Sequence, residues 1–599
     1  MNGPAASPMA PTLAEENRIA PKSTAWPRAL LLSWLLAALA LSTPALMLQP
    51  SRAVGLSITD IFFFWQDVPV LVCATLILFV IARRSADPGA HGLAWPTTQR
   101  GAQRLTAAAA LGVVMASWIG WRLVCLRYPL AMDEFMATFD AGTLRHGWLA
   151  APVPAMWREY VPALQPDFGL RVPGHAVWSS DYLPINAAIR AMFMLLGDGS
   201  LAGALLSGAS VVLVFDIART LWPNRPDAAA AAAVMLASSS QLLLAGMTPY
   251  AMPAHLALNL AWLRLYQMNR PGTDLGALAI GWFACGLHQV VFHPLFVAPF
   301  ILQLFMDRRW TRAITFSLAY VAIGLFWVLY WPGVFHLLGL AAPQGKGGGV
   351  ASFLSHALKL LNHPDPLQSA RLMAENLLRF ITWQNPLMVV LLLAGAASTW
   401  RAGGVPRALL AGLLLTLALA ALLMPSQGLG WGYRYLHGLL GSACLGAAGA
   451  YVRLTESDWS PPMARRALSL SVIASLLILA PLRAAQARTF IAPYAHAHQA
   501  ISTDPADFVV IDARGMLFGT DLVRNQSDFG NRPLVLHLGA MSAPQLEALC
   551  RRGRVAIFDR QDGRAFGINT TIAPPPGPAN RLDAAMPASG CGARHVAKP

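Results

Sequence analysis

Residues 104–147 read RLTAAAALGVVMASWIGWRLVCLRYPLAMDEFMATFDAGTLRHG, and they decide the fold. Positions 106–126 are a continuous apolar run, long enough to cross a hydrocarbon core as a helix. Arg122 stands near its end, where a long cationic side chain snorkels to the interface. Seven residues beyond the run come two adjacent carboxylates, Asp133 and Glu134. The first half of that pattern recurs along the chain. Apolar runs of about 17 residues or more return through the first 483 positions, unbroken and not alternating, so the spanning elements are helices.

Composition agrees. Of 599 residues, 56% are hydrophobic and 12% charged, with a mean hydropathy of +0.49. A soluble chain of this size carries about twice that charge fraction. The sequence predicts an all-α polytopic membrane protein with about 13 transmembrane helices: 29–48, 61–82, 106–126, 200–220, 228–247, 250–268, 275–291, 293–306, 313–332, 386–400, 406–424, 436–452 and 467–483.

The net charge of +15 is arranged in a way that excludes nucleic acid as its purpose. Lys and Arg fall into alternate loops: Arg18, Lys22 and Arg28; Arg83, Arg84, Arg100 and Arg104; Arg219 and Arg225; Arg264 and Arg270; Arg308, Arg309 and Arg312; Arg401 and Arg407; Arg453, Arg465 and Arg466. The short loops between them are nearly empty of Lys and Arg, with Arg52 and Arg434 the exceptions. By the positive-inside rule the N-terminus is cytoplasmic, and thirteen spans leave the C-terminus outside. Residues 1–28 read as a cytoplasmic tail without a cleavable signal. The part 29–483 reads as the membrane domain, with extracytoplasmic loops 127–199 and 333–385, and 484–599 reads as an extracytoplasmic α/β domain. Polar capacity gathered on one outer face favours an enzyme over a transporter, whose polar residues concentrate at mid-membrane.

The first loop carries the most chemistry. After Asp133 and Glu134 come HAVWSSDYLP (175–184) and PINAAIRAMFMLLG, an apolar helix too short to span that lies at the interface. Late in the chain, GWGYRYLHGLLG places Gly432, Arg434, Tyr435 and Leu436 at the start of a span. An arginine at headgroup level can grip a phosphate with two parallel hydrogen bonds. The spacing of Asp133, Glu134, Ala141, Leu144 and Gly147 resembles the acidic motif in the first external loop of GT-C superfamily glycosyltransferases. These are multi-span enzymes that use polyprenyl-phosphate-linked sugars. The late Gly-x-Arg-Tyr-Leu element resembles one found in bacterial members, and the likeness covers roughly residues 100–455. Two spans before residue 100 are additional. The Lys-Pro-Pro-Leu-like element of aminoarabinose-type transferases and the Trp-Trp-Asp signature of oligosaccharyltransferases are absent, so neither donor nor acceptor carries over.

The resemblance implies an inverting glycosyltransferase in a bacterial inner membrane. It would move a sugar from a polyprenyl-phosphate donor to a glycan, lipid or protein acceptor on the periplasmic face. In that reading Asp133 is the base and Glu134 orients the acceptor or supports a divalent metal, Mg or Mn. Arg434 and Tyr435 hold the donor phosphate, with Lys346 in the glycine-rich turn PQGKGGGV a further phosphate candidate. That turn lacks the pattern of a P-loop. Asp181 reads either as a second carboxylate of the site or as a helix N-cap before Pro184. His175, His288 and His293 are candidate substrate or metal ligands. Buried structural roles are equally open for the last two, whose spacing of five does not put both on one helix face. SFLSHALKLLNHP and ARLMAENLLRFITW read as two interfacial helices. A transporter or flippase of a lipid-linked sugar, or a non-catalytic scaffold, are the competing classes.

The tail changes character. DFVVID (507–512), PLVLHL (533–538) and RVAIFD (554–559) read as buried strands. SAPQLEALCRRG between the last two carries a Ser542/Gln545 capping box and a Gly553 stop. Cys550 and Cys591, both in the external tail, are a candidate disulfide. Cys73, Cys125, Cys285 and Cys444 lie in spans as apolar filler.

Overall fold

The computed structural model describes residues 28–47, 58–85, 95–165, 168–170, 172–341, 365–457, 459–571 and 594–596. Each of the thirteen apolar runs contains helix. Among the described residues, seven helices are long and apolar enough to cross a membrane by themselves, or up to nine when each bent pair is counted as one span. The bent pairs explain part of the difference. Pro226–Ala237 and Ser240–Gly246 meet at 57°, because Ser239 leaves the helix and caps the next turn through the Leu242 amide. Pro366–Thr382 and Pro386–Arg401 meet at 119°, where Asn385 caps Leu387 and Met388 and Pro386 occupies the first helical position. Phe292–Met306 is a shorter apolar helix.

The segment ARLMAENLLRFITW is helical as expected and carries charged residues inward. Apart from Trp383 it lies within the Pro366–Thr382 helix, which buries Arg371, Glu375, Asn376 and Arg379 in the bundle. The reason is a charge cluster. A π-helical turn at Phe63–Asp67 carries Asp67 inward, where Arg379 (3.2 Å) and Arg483 (2.9 Å) pair with it. Trp383 Nε1 also donates to Asp67, at 3.1 Å. Arg371 pairs with Glu375 at 2.9 Å and with Asp60. Removing one partner from such a set leaves a charge buried without compensation. The cluster therefore fastens the Ile58–Ser85 helix to the rest of the bundle. SFLSHALKLLNHP and Lys346 lie outside the described residues.

The last membrane helix runs further than its apolar run predicts. It spans Pro461–Ser502, 42 residues, with a π-turn at Ser475–Leu479. At 1.5 Å per residue that is about 63 Å, twice a hydrocarbon core. The boundary expected at 483 therefore falls inside one continuous helix.

Beyond it, Phe508–Ile511, Leu534–His537 and Val555–Phe558 form the predicted strands. All pairings are parallel, with Phe508–Ile511 between the other two, and Arg594–His595 adds to the edge at Val555–Phe558. The Ser542/Gln545 capping box is present. This sheet shares a core with the first loop: Phe139, Trp157, Tyr160 and Trp178 pack with Phe508, Val510, Leu534 and Leu536. Trp178 stacks on Phe529 at 4.4 Å and donates to the Ser527 carbonyl at 2.9 Å. Loop and tail are thus one packed unit at one end of the bundle. Cys550 is disulfide-bonded, the four cysteines of the helical part are free, and Cys591 lies outside the described residues.

Candidate active site

Asp133 and Glu134 begin the helix Met132–Arg145, and adjacent helical positions point about 100° apart. That angle separates their roles. Asp133 faces a cavity also lined by Asp140, Tyr182, Tyr250, His288, Arg434 and Tyr435. One Asp133 oxygen receives Arg434 Nη1 at 2.5 Å and the other receives the Tyr182 hydroxyl at 2.6 Å. Residues 301 positions apart therefore form one ion pair. Burial raises the Asp133 carboxyl, but the Arg434 charge, His288 and the Tyr182 hydrogen bond outweigh it. The group is held below the usual carboxylate range.

Glu134 turns away from the cavity. It is 2% exposed, and Oε2 accepts the Leu130 amide at 2.8 Å. Burial pushes its carboxyl up to about 8, only partly opposed by that amide and by Arg524. Glu134 is expected to orient the acceptor or support a metal; it is not among the cavity-lining residues, and its Oε2 ties the turn that presents Asp133. The brace continues into the tail. Asp521 accepts the Met132 amide at 3.0 Å. Arg524 donates to the carbonyls of Pro129 and Leu130, and its guanidinium lies 4.0 Å over the Tyr128 ring.

The remaining candidates divide. His288 lines the cavity and stacks on Tyr182 at 4.1 Å. Tyr435 lines it too, its hydroxyl donating to the Ser426 carbonyl at 3.1 Å. His293 is fully buried, with Asn259 on Nδ1 (2.7 Å) and Tyr320 on Nε2 (2.8 Å), so both nitrogens are occupied structurally. His175 sits in a short 3-10 turn and is not among the cavity-lining residues. Asp181 does not cap the following helix, whose N-cap is Pro184. Burial and then the charges of Asp133 and Asp140 push Asp181 up to about 7. Arg122 pairs with Asp198 at 2.6 Å.

A metal does not fit at the acidic pair, because Asp133 is committed to Arg434 and Tyr182 while Glu134 faces elsewhere. Among the described residues, the one group of three possible ligands is Asp559, Asp562 and His595, in the tail.

Sequence reasoning left Asp140 and Tyr182 without a role. Asp140 follows Asp133 by seven residues, two helical turns, which places both on one face. Ser180 donates to it through its amide at 3.3 Å and through its hydroxyl, and burial pushes the carboxyl up to about 6. That spacing was the available signal. Tyr182 had none, since its reach to Asp133 depends on how residues 172–183 fold back.

Fold and site together define a polytopic membrane protein with an arginine-paired aspartate over a cavity at one end of its helices. No protein family profile and no curated protein matches the chain. Among solved structures it is similar to ArnT from Cupriavidus metallidurans bound to undecaprenyl phosphate: TM-score 0.45, 13% identity, 82% of this chain and 89% of that one covered. The apo state of the same enzyme gives a TM-score of 0.44 at 13% identity, over 74% of this chain and 90% of that one.

Proposed function

We propose that this protein is a membrane glycosyltransferase of the GT-C kind. It moves a sugar from a polyprenyl-phosphate donor to an acceptor hydroxyl on the outer face of a bacterial inner membrane, with inversion. The observation that carries this reading is the Asp133–Arg434 contact. The two short motifs, remote in sequence, meet in one cavity with complementary charge.

The chemistry follows from charge. A polyprenyl-phosphate sugar is a phosphodiester with one negative charge. As the anomeric carbon–oxygen bond breaks, the leaving phosphate gains a second. Arg434 has an Nε without a partner among the described residues, so its fork can take phosphate as well as Asp133. As the phosphate draws the guanidinium, Asp133 loses part of the charge that lowers its carboxyl and becomes a stronger base. It then accepts the acceptor's hydroxyl proton while that oxygen bonds to the anomeric carbon from the opposite face. Tyr182 keeps the carboxylate oriented throughout. Glu134, protonated and facing away, takes no part in proton transfer.

The cellular test compares surface glycans and the polyprenyl-phosphate sugar pool in a deletion strain, its parent, and the deletion strain carrying Asp133→Asn. Loss of one glycan modification with accumulation of one lipid-linked sugar, restored by wild type and not by the variant, is expected. Identical glycans and pools in all strains would overturn the reading.

A further inference from the structure

The inner part of the cavity has no role in the reaction just described, yet it is built of polar groups. His255 and Asn259 lie on Met252–Met268 and Thr416 on Gly404–Leu423, and all three line the cavity. Counted from the helix ends nearer Asp133, His255 stands three residues in, about 5 Å along the axis, and Asn259 and Thr416 seven, about 10 Å. Asn259 is already satisfied, donating to the Gly438 carbonyl at 2.9 Å and meeting His293 at 2.7 Å. The other two are not. His255 is 8% exposed and Thr416 4% exposed, and neither His255 ring nitrogen nor Thr416 Oγ1 has a partner among the described residues. The His255 ring is held edge-on by Phe292 at 5.7 Å. Unpaired buried donors and acceptors cost stability, and a ligand that pairs them recovers it.

The types of group specify the ligand. A neutral imidazole offers one donor and one acceptor, and a threonine hydroxyl offers both. Their complement is a set of hydroxyl groups, which also give and take. An ionised phosphate only accepts, and an ammonium only donates. The carboxylates lining the cavity are Asp133 and Asp140, both on the helix at its mouth. Met252, Leu287, Phe292 and Leu439 supply apolar wall around the inner polar groups, as sugar ring faces require.

We propose that the inner end of this cavity binds the hydroxyl groups of the donor sugar through His255 and Thr416, and that this sugar is uncharged. A neutral hexose fits, and an amino sugar or a uronic acid does not. The inference rests on the glycosyl-transfer reading and adds the class of sugar to it.

Binding is measured on the purified full-length protein with three probes: undecaprenyl phosphate, undecaprenyl-phosphate glucose and an undecaprenyl-phosphate aminopentose. Thr416→Val removes one hydroxyl with little change of shape. His255→Phe removes both ring nitrogens, and His255→Gln keeps a donor and an acceptor. Wild type should bind the glucose lipid more tightly than the aminopentose lipid, with bare undecaprenyl phosphate, which holds Arg434 through a second negative charge, the probe that lacks the sugar contacts. Thr416→Val and His255→Phe should each lose about threefold to tenfold for the glucose lipid alone, with His255→Gln recovering part of it. Equal losses for the glucose lipid and the bare phosphate, no loss in either variant, or preference for the aminopentose would overturn the inference. Those outcomes, with the three lipids still bound, overturn this inference only. Failure to bind any of the three overturns the glycosyl-transfer reading with it.

Discussion

Replacing Glu134 by glutamine separates a bracing carboxyl from a reacting one. In the folded protein burial holds this carboxyl at about 8, against an ordinary value of 4.5. The folded state therefore keeps a proton that the unfolded chain has released between those two pH values. Where the folded state binds more protons, stability falls as pH rises. From this group alone the loss is about 1.4 kcal/mol per pH unit, reaching about 5 kcal/mol in all, and it levels off above pH 8. Glutamine cannot ionise, and its amide oxygen can still accept the Leu130 amide. Unfolding of wild type and Glu134→Gln would be followed from pH 5.5 to 9 in one detergent, and the difference taken. Asp140 and Asp181, also raised, slope the same way in both proteins and cancel in that difference. The variant should equal wild type near pH 5 and be progressively more stable toward pH 8, while retaining sugar transfer. Parallel stability curves would refute the buried, protonated state, and an inactive but folded Glu134→Gln would refute the bracing role.

Three further outcomes follow from other contacts. Arg434→Lys keeps a charge but loses the planar fork, and should lower kcat/KM for the lipid-linked donor about 10- to 100-fold in a transfer assay. Arg524→Gln loses the hydrogen bonds to the Pro129 and Leu130 carbonyls that aim Asp133. It should cut kcat about tenfold or more with donor KM nearly unchanged, and Arg524→Lys should restore part of it. Asp67→Asn strands Arg379 and Arg483 and should destabilise the helical part by about 3–5 kcal/mol in chemical denaturation.

What the sequence made legible was governed by short-range rules. Hydrophobic length located the Leu201–Leu221 and Gly404–Leu423 helices within two residues, because lipid imposes the same requirement on every residue of a run. Buried parallel strands announced themselves as apolar stretches, and the capping box at Ser542 is a purely local device. The features it hid depend on distant partners. The inward turn of Asp67 needs a π-turn that no residue type signals. The Pro461–Ser502 helix outlasts its apolar run because its later turns dock on the tail unit, where Tyr494 donates to the Leu517 carbonyl at 2.7 Å. The direction of Glu134 is set by the Leu130 amide, and the Leu130 carbonyl is in turn held by Arg524, 394 residues from Leu130. Asp133 and Arg434 could be named separately from their motifs, whereas their contact required the fold.

The central claim is that Asp133, charged and paired with Arg434, is the base of sugar transfer. Its most direct test is transfer of labelled sugar from polyprenyl-phosphate donors by the purified protein, wild type against Asp133→Asn. Asparagine keeps the size and the Tyr182 hydrogen bond but cannot take the acceptor's proton. The account predicts transfer by wild type and a fall of about a hundredfold or more in the variant, with donor binding retained. Transfer by Asp133→Asn at the wild-type rate would contradict it.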